Sequence, residues 1–151
     1  MNAVRLLRQE ASTLKVVVCG SYGDMKTFVE ILDSCKRRYG EQNVFPNEEH
    51  LRRSSICIEA HHGKKGETEA TIETRSRLMK VYFEQIDHAD VVVILNEKNG
   101  EEYYGVGTTL ELGYAFAKCN MIHFTRKPTN PNILSLINGQ HTDQKMCLIS
   151  Q

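Results

Sequence analysis

Glu111 is the residue whose type and place first suggest chemistry. It follows Gly105-Val-Gly-Thr-Thr, a run of turn residues and hydroxyls, and stands where an apolar helical pattern begins. That pattern puts Leu110, Tyr114 and Ala117 on one face, widened by Leu112, Ala115 and Phe116. A carboxylate in a first helical turn is favoured in its ionised form by the helix dipole. An ionised carboxylate in such a place can act as a nucleophile. An acid that only complements the dipole has the same signature, so both readings stand.

The loop Gly20-Ser21-Tyr22-Gly23-Asp24 follows an apolar run. It lacks G-x-G-x-x-G, and no Walker lysine follows, so no redox cofactor or nucleoside triphosphate is expected. Backbone N–H groups at the next helix N-terminus suit a phosphate or a ribose hydroxyl. A plain tight turn between strand and helix fits equally well. Gly105, Gly107 and Thr108 form a second candidate cradle with the same two readings. His61-His62 lacks a third ligand at a convincing spacing, so no metal is expected and a polar loop is the better reading. His123 stands at a strand position and reads as a satisfied interior residue. The cysteines, five in number, are widely spaced with no C-x-x-C. Cys19 and Cys119 have apolar surroundings and read as small core residues. This usage points to a reducing, cytoplasmic compartment.

The elements that must position these residues alternate. Leu14–Cys19 reads as a strand buried on both faces. Asp24 can cap a helix from Met25 to Tyr39, with Phe28, Ile31, Leu32 and Cys35 inward and Gly40 at its end. Asn43–Pro46 reads as a short second strand. The stretch 47–70 shows no clear element and reads as a mobile flap. Glu67–Gln85 has helical spacing, with Leu78, Val81, Tyr82, Gln85 and Ile86 on one face. Val91–Leu95 and Met121–Phe124 read as further strands, and Pro131 starts a last helix. Met146–Ile149 suits an edge strand. Residues 1–13 read as an N-terminal arm. The order predicts an α/β doubly wound sheet, mostly parallel, with a ligand site at the carboxyl ends of the strands. Gly20–Asp24, Asn96–Thr109 and Thr125–Asn130 should converge there.

The 151 residues suit one domain. Lys plus Arg and Asp plus Glu are 19 each, a formal net charge of zero. That balance argues against non-specific binding to nucleic acid or an anionic membrane. Lys36-Arg37-Arg38 and Arg52-Arg53 read as solvated faces. No signal peptide and no membrane-length run is found.

Three segments carry a family resemblance: VVVCGSYGDMKTFVEILDSCKRRYG, IDHADVVVILN and GVGTTLELGYAFAKCNMIHF. They resemble nucleoside 2-deoxyribosyltransferases and the related 2'-deoxynucleoside 5'-phosphate N-hydrolases. The most specific pieces are Ala89-Asp90 and the Glu-Leu-Gly-Tyr-Ala beginning at Glu111. The resemblance implies a flavodoxin-like sheet of about five strands with helices on both faces, and a homo-oligomer. It implies cleavage of the N-glycosidic bond of a nucleoside or nucleoside 5'-monophosphate. Glu111 would be the nucleophile, and Gly20, Ser21 and Tyr22 would line the sugar or phosphate pocket. Two departures stand out. Tyr82 is nearest the position where the family carries an aspartate, which leaves a non-catalytic nucleotide-binding module as the alternative. The loop from Asn96 to Gly107 is longer and more polar than in the hydrolases. Asn96 there suits a base edge or ribose hydroxyl, and Tyr103 or Tyr104 suits stacking on a base. Asp90, at the opposite end of its strand, reads as a structural hydrogen-bonding residue.

Overall fold

A computed structural model describes residues 13–62, 69–118, 120–139 and 147–148. Most of the N-terminal arm lies outside them, as do Cys119 and the tail on either side of 147–148. In chain order the elements are β1 (Val16–Gly20), α1 (Met25–Tyr39), β2 (Val44–Phe45), α2 (Glu48–His62), α3 (Glu69–Asp87) and β3 (Val91–Leu95). The hairpin strands β4 (Glu97–Lys98) and β5 (Glu101–Glu102) follow, then α4 (Val106–Ala117), β6 (Met121–Phe124), α5 (Pro131–Gly139) and β7 (Cys147–Leu148).

The chain is an α/β protein built on a parallel sheet in the order β2-β1-β3-β6. The two-residue β7 pairs with β6, also in parallel. β1 and β3 are β-branched runs buried on both sides, as central parallel strands require. Alternate side chains enter two clusters. Val16, Val18, Val91, Val93 and Leu95 pack with Phe28, Leu32, Cys35 and Tyr39 of α1. Val17, Cys19, Val92 and Ile94 pack with Tyr82 and Ile86 of α3 and with Leu112, Ala115 and Phe116 of α4. Asp90 accepts the Lys15 N–H at 2.8 Å and ties the starts of β1 and β3 together.

Four expectations need correction. The stretch 47–70 shows no helical periodicity in sequence, yet Glu48–His62 is helix α2. Local polar contacts hold its start instead. The Asn47 carboxamide accepts the His50 N–H at 2.9 Å, and Glu49 pairs with Arg52 and Arg53 one turn on. Residues 63–68 of the expected flap lie outside the described residues. On α4, Leu110 and Ala117 do not face the core; Thr108, Glu111, Leu112, Ala115 and Phe116 do. Gly105 starts that helix four residues earlier than the apolar pattern suggests, so Glu111 falls in its second turn and not its first. Gln85 on α3 is exposed, whereas Tyr82 and Ile86 are buried.

The Asn96–Gly105 connection is ordered by a small hairpin. Asn99 and Gly100 have φ of 52° and 77°, the left-handed pair that a tight two-residue turn demands. Among the described residues, no helix is long and apolar enough to cross a membrane.

Candidate functional site

Glu111 projects from the inner side of α4 onto the carboxyl end of β1. It is 7% exposed. Its carboxyl is hydrogen-bonded to the Cys19 thiol, one residue before β1 ends. Burial pushes the Glu111 pKa up to about 8, and the Cys19 hydrogen bond opposes that only in part. The carboxyl is therefore neutral at pH 7. Burial, the charge of Glu111 and the hydrogen bond to it all raise the Cys19 pKa, so that sulfur stays a thiol and is no thiolate nucleophile.

Beside this pair lies a chain of hydroxyls. Tyr22 and Tyr82 stand 2.7 Å apart, Oη to Oη. Tyr82 donates its one hydrogen to the Val18 carbonyl at 3.0 Å. The hydrogen shared by the two tyrosines must then come from Tyr22. Ser54 of α2 hydrogen-bonds to the Tyr22 hydroxyl in turn. Burial raises the pKa of both phenols, so both stay protonated. Phe45 and His50 close around Tyr82 edge-on, with ring centroids 5.1 and 5.0 Å away. His50 Nε2 has no hydrogen-bond partner among the described residues, and burial holds that imidazole at about 4, uncharged. Tyr82, read in sequence as standing in for an acid, is thus locked into the wall of the Glu111 site.

The two glycine loops meet here. Gly20 is a glycine for packing: a Cβ on it would stand 2.8 Å from Leu95 Cβ and 3.1 Å from the Phe28 ring. Gly105 faces Ser21, whose Oγ would be 3.8 Å from an added Cβ, with Thr108 Oγ1 at 3.9 Å. Gly107 instead faces Met79. Ser21, Gly105 and Thr108 are thereby gathered at the start of α4, and Tyr22 lies near enough to Glu111 to feel its charge, while Gly107 turns to α3.

Asn96 is placed differently. It is fully buried, and its Nδ2 donates to Tyr104 Oη at 3.1 Å and the Arg126 carbonyl at 2.9 Å. Its Oδ1 accepts the Arg126 N–H at 2.9 Å and the Thr125 hydroxyl at 3.3 Å. The carboxamide is spent on joining the loops after β3 and β6. Glu102 completes that joint by accepting from Tyr104 Oη, the Thr129 hydroxyl and the N–H groups of Thr129 and Asn130. Burial works to raise its pKa, but these hydrogen bonds together outweigh it and hold the carboxyl at about 2. Tyr103 is 40% exposed and has Lys98 Nζ 5.1 Å above its ring.

Residue types alone did not mark Cys19, Ser54 and Glu102. The Asn99-Gly100 pair was the readable signal for the hairpin that carries Glu102. Nothing in the local sequence links Ser54 to Tyr22. His123 is buried, and neither ring nitrogen has a hydrogen-bond partner among the described residues. Burial and the nearby charge of Arg38 lower its pKa. Among the described residues no group of three or more His, Cys, Asp and Glu is placed to hold a metal ion. The side chains of His61 and His62 lie outside that description.

A concavity of about 530 Å³ lies elsewhere, beside β2, and is lined by Lys36, Glu41, Val44, Asn47, Glu48 and Arg52. It is an open surface cleft of mixed charge with no buried reactive group. The Glu111 surroundings are the stronger candidate, because they combine a buried carboxyl, oriented hydroxyls and a helix N-terminus. Compared with models of known protein families and with characterised proteins, the chain gives no match.

Proposed function

We propose that this protein cleaves the N-glycosidic bond of a nucleoside or nucleoside 5'-monophosphate, by hydrolysis or by deoxyribosyl transfer, with Glu111 as the nucleophile. The reading includes a flavodoxin-like, doubly wound fold, a cytoplasmic location and an oligomeric state above the monomer. The observation that carries it is the buried Glu111 carboxyl at the carboxyl end of β1, held by the Cys19 thiol with the Tyr22 and Tyr82 hydroxyls nearby. A glycosyl centre brought to Glu111 meets an oxygen nucleophile, with the Tyr22 and Tyr82 hydroxyls nearby. The N-terminus of α4 offers backbone N–H groups to a 5'-phosphate.

The chemistry follows the retaining glycosidases. Glu111, once ionised, attacks the anomeric carbon as the bond to the base nitrogen breaks. The bond pair leaves with the base, whose nitrogen takes a proton from solvent water. Water or a second base then opens the glycosyl ester and restores the carboxylate. Glu111 reacts only when deprotonated, so kcat/KM should rise with pH toward a midpoint near the carboxyl's value of about 8. A profile that falls with pH through that midpoint would instead make Glu111 a proton donor.

One observation favours a second reading, a nucleotide-binding module without turnover. Only burial and Cys19 shift the Glu111 carboxyl, so no second carboxylate acts on it among the described residues, and Tyr82 fills the place of the family acid. Incubation with a panel of deoxynucleosides and their 5'-monophosphates, read as free base, separates the two. Glycosidic cleavage predicts base release that Glu111→Gln lowers by more than about 1000-fold. Equal release by the variant sinks the assigned mechanism. Nucleotide binding by calorimetry with no base released selects the module.

A further inference from the structure

Glu111 must be an anion to attack, yet it lies where an anion is costly. Its hydrogen-bonding neighbour Cys19 is fully buried, and Glu111 is nearly so. The fold sets the two side chains against each other. Cys19 stands opposite Ile94 in the β1–β3 ladder. It shares a core cluster with Leu112 and Ala115, which lie beside Glu111 on the inner face of α4. The helix is therefore seated on β1 at the level of the carboxyl.

The nearby hydroxyls have no hydrogen left for Glu111, because each has only one to give. Tyr82 gives its own to the Val18 carbonyl at 3.0 Å. Tyr22 must then give its own to Tyr82, 2.7 Å away. Ser54 of α2, which reaches the Tyr22 oxygen, can only donate to it. All three hydrogens are committed along the chain Ser54–Tyr22–Tyr82–Val18. Tyr22, from the loop after β1, and Tyr82, from α3, stay near the carboxyl as neutral phenols. Over Val106–Ala117, α4 carries no charged residue besides Glu111. Among the described residues no cation acts on the carboxyl, and the Cys19 thiol is the one donor to it.

We propose that Cys19 is the positioning residue for Glu111: its thiol hydrogen fixes the carboxyl at the end of β1 and favours the ionised form that attacks, which rests on the reading of Glu111 as the nucleophile. A thiol is a weaker donor than a hydroxyl. Serine at this position would favour the carboxylate more, and alanine would not favour it at all. Both are smaller than cysteine, so lost packing moves the two variants the same way, whereas the hydrogen bond moves them apart.

Cys19→Ser and Cys19→Ala of the full chain test this through the pH profile of kcat/KM for base release. The wild-type midpoint is expected at about 8. It should fall by on the order of half a unit in Cys19→Ser and rise by as much in Cys19→Ala. At pH 6 this reads as about a threefold gain and about a threefold loss of kcat/KM. Infrared spectra of the wild type read the same contact without turnover. The Cys19 S–H stretch, assigned by its loss in Cys19→Ala, should move to lower frequency as Glu111 ionises and stay fixed in Glu111→Gln. If no base is released but the S–H band moves with pH, the glycosidic reading fails and the role of Cys19 toward Glu111 stands. An S–H band that ignores pH overturns the proposal, as do midpoints that shift together or not at all.

Discussion

Two helices begin at the same edge of the sheet, and their N-termini have opposite fates. α1 follows β1 directly, and Asp24 caps it. The Asp24 carboxylate accepts the Thr27 N–H at 3.2 Å and the Thr27 hydroxyl at 2.7 Å. Those hydrogen bonds hold its pKa below the usual carboxylate value. The positive end of α1 is thus met by the chain's own anion. α4 follows β3 through the hairpin, and Gly105 stands at its cap with no side-chain hydrogen bond. Gly105 thus brings no side chain to the first N–H groups of α4, and Ser21 lies alongside. In sequence both loops look alike, glycine-bearing and polar. The Asp24 side chain occupies the anion site of α1, whereas the cap residue of α4 has no side chain to do the same.

The largest expected effect concerns the carboxyl carried by the uncapped helix. The Glu111 pKa rises from the ordinary carboxyl value of 4.5 to about 8 on folding. The folded state then holds a proton that the unfolded state releases between those values. Stability contributed by the neutral carboxyl is complete below pH 4.5 and is lost as pH rises to 8. The full loss is on the order of 4 kcal/mol. Urea titrations at pH 5 and pH 8 should show wild type losing stability and Glu111→Gln holding nearly constant. Parallel losses in both proteins would mean that the carboxyl is less buried than its place implies.

A smaller effect breaks the contrast directly. Gly105→Asp gives α4 the cap that α1 already has. Gly105 has φ −69° and ψ 163°, and an added Cβ meets only ordinary contacts, so the change is sterically tolerated. The variant should melt slightly higher and bind a nucleoside 5'-monophosphate more than about tenfold more weakly. Unchanged calorimetric affinity would remove the α4 terminus from the phosphate site. The smallest effect is on the closed side. Asp24→Ala should lower Tm by about 2–4 °C and leave nucleotide affinity untouched. A gain in affinity there would show that α1 competes for the phosphate.

The legible parts were those governed by neighbours in sequence. Val91–Leu95 announces a buried strand by length and branching. Met25–Tyr39 announces a helix by its spacing, with Asp24 and Gly40 at its ends. α2 was hidden because its start is held by Asn47, Glu49 and the arginines, which leave no apolar period to find. The face of α4 was misread for a related reason. Its apolar residues surround the helix, so periodicity could not tell the side that meets the sheet from the side that meets water. Burial of Thr108 and Glu111 and exposure of Leu110 settle that in three dimensions.

By itself the sequence determined the alternation of strands and helices, the two glycine loops and the singling out of Glu111. Those follow from local propensity, caps and spacing. Only the tertiary structure decided that Glu111 meets Cys19, that Tyr82 orients Tyr22 while Ser54 reaches it from α2, and that Asn96 is consumed in joining two loops. Those partners lie tens of residues apart in the chain. Their contacts, and the desolvation that makes Glu111 neutral, exist only once β1, α2, α3 and α4 have packed together.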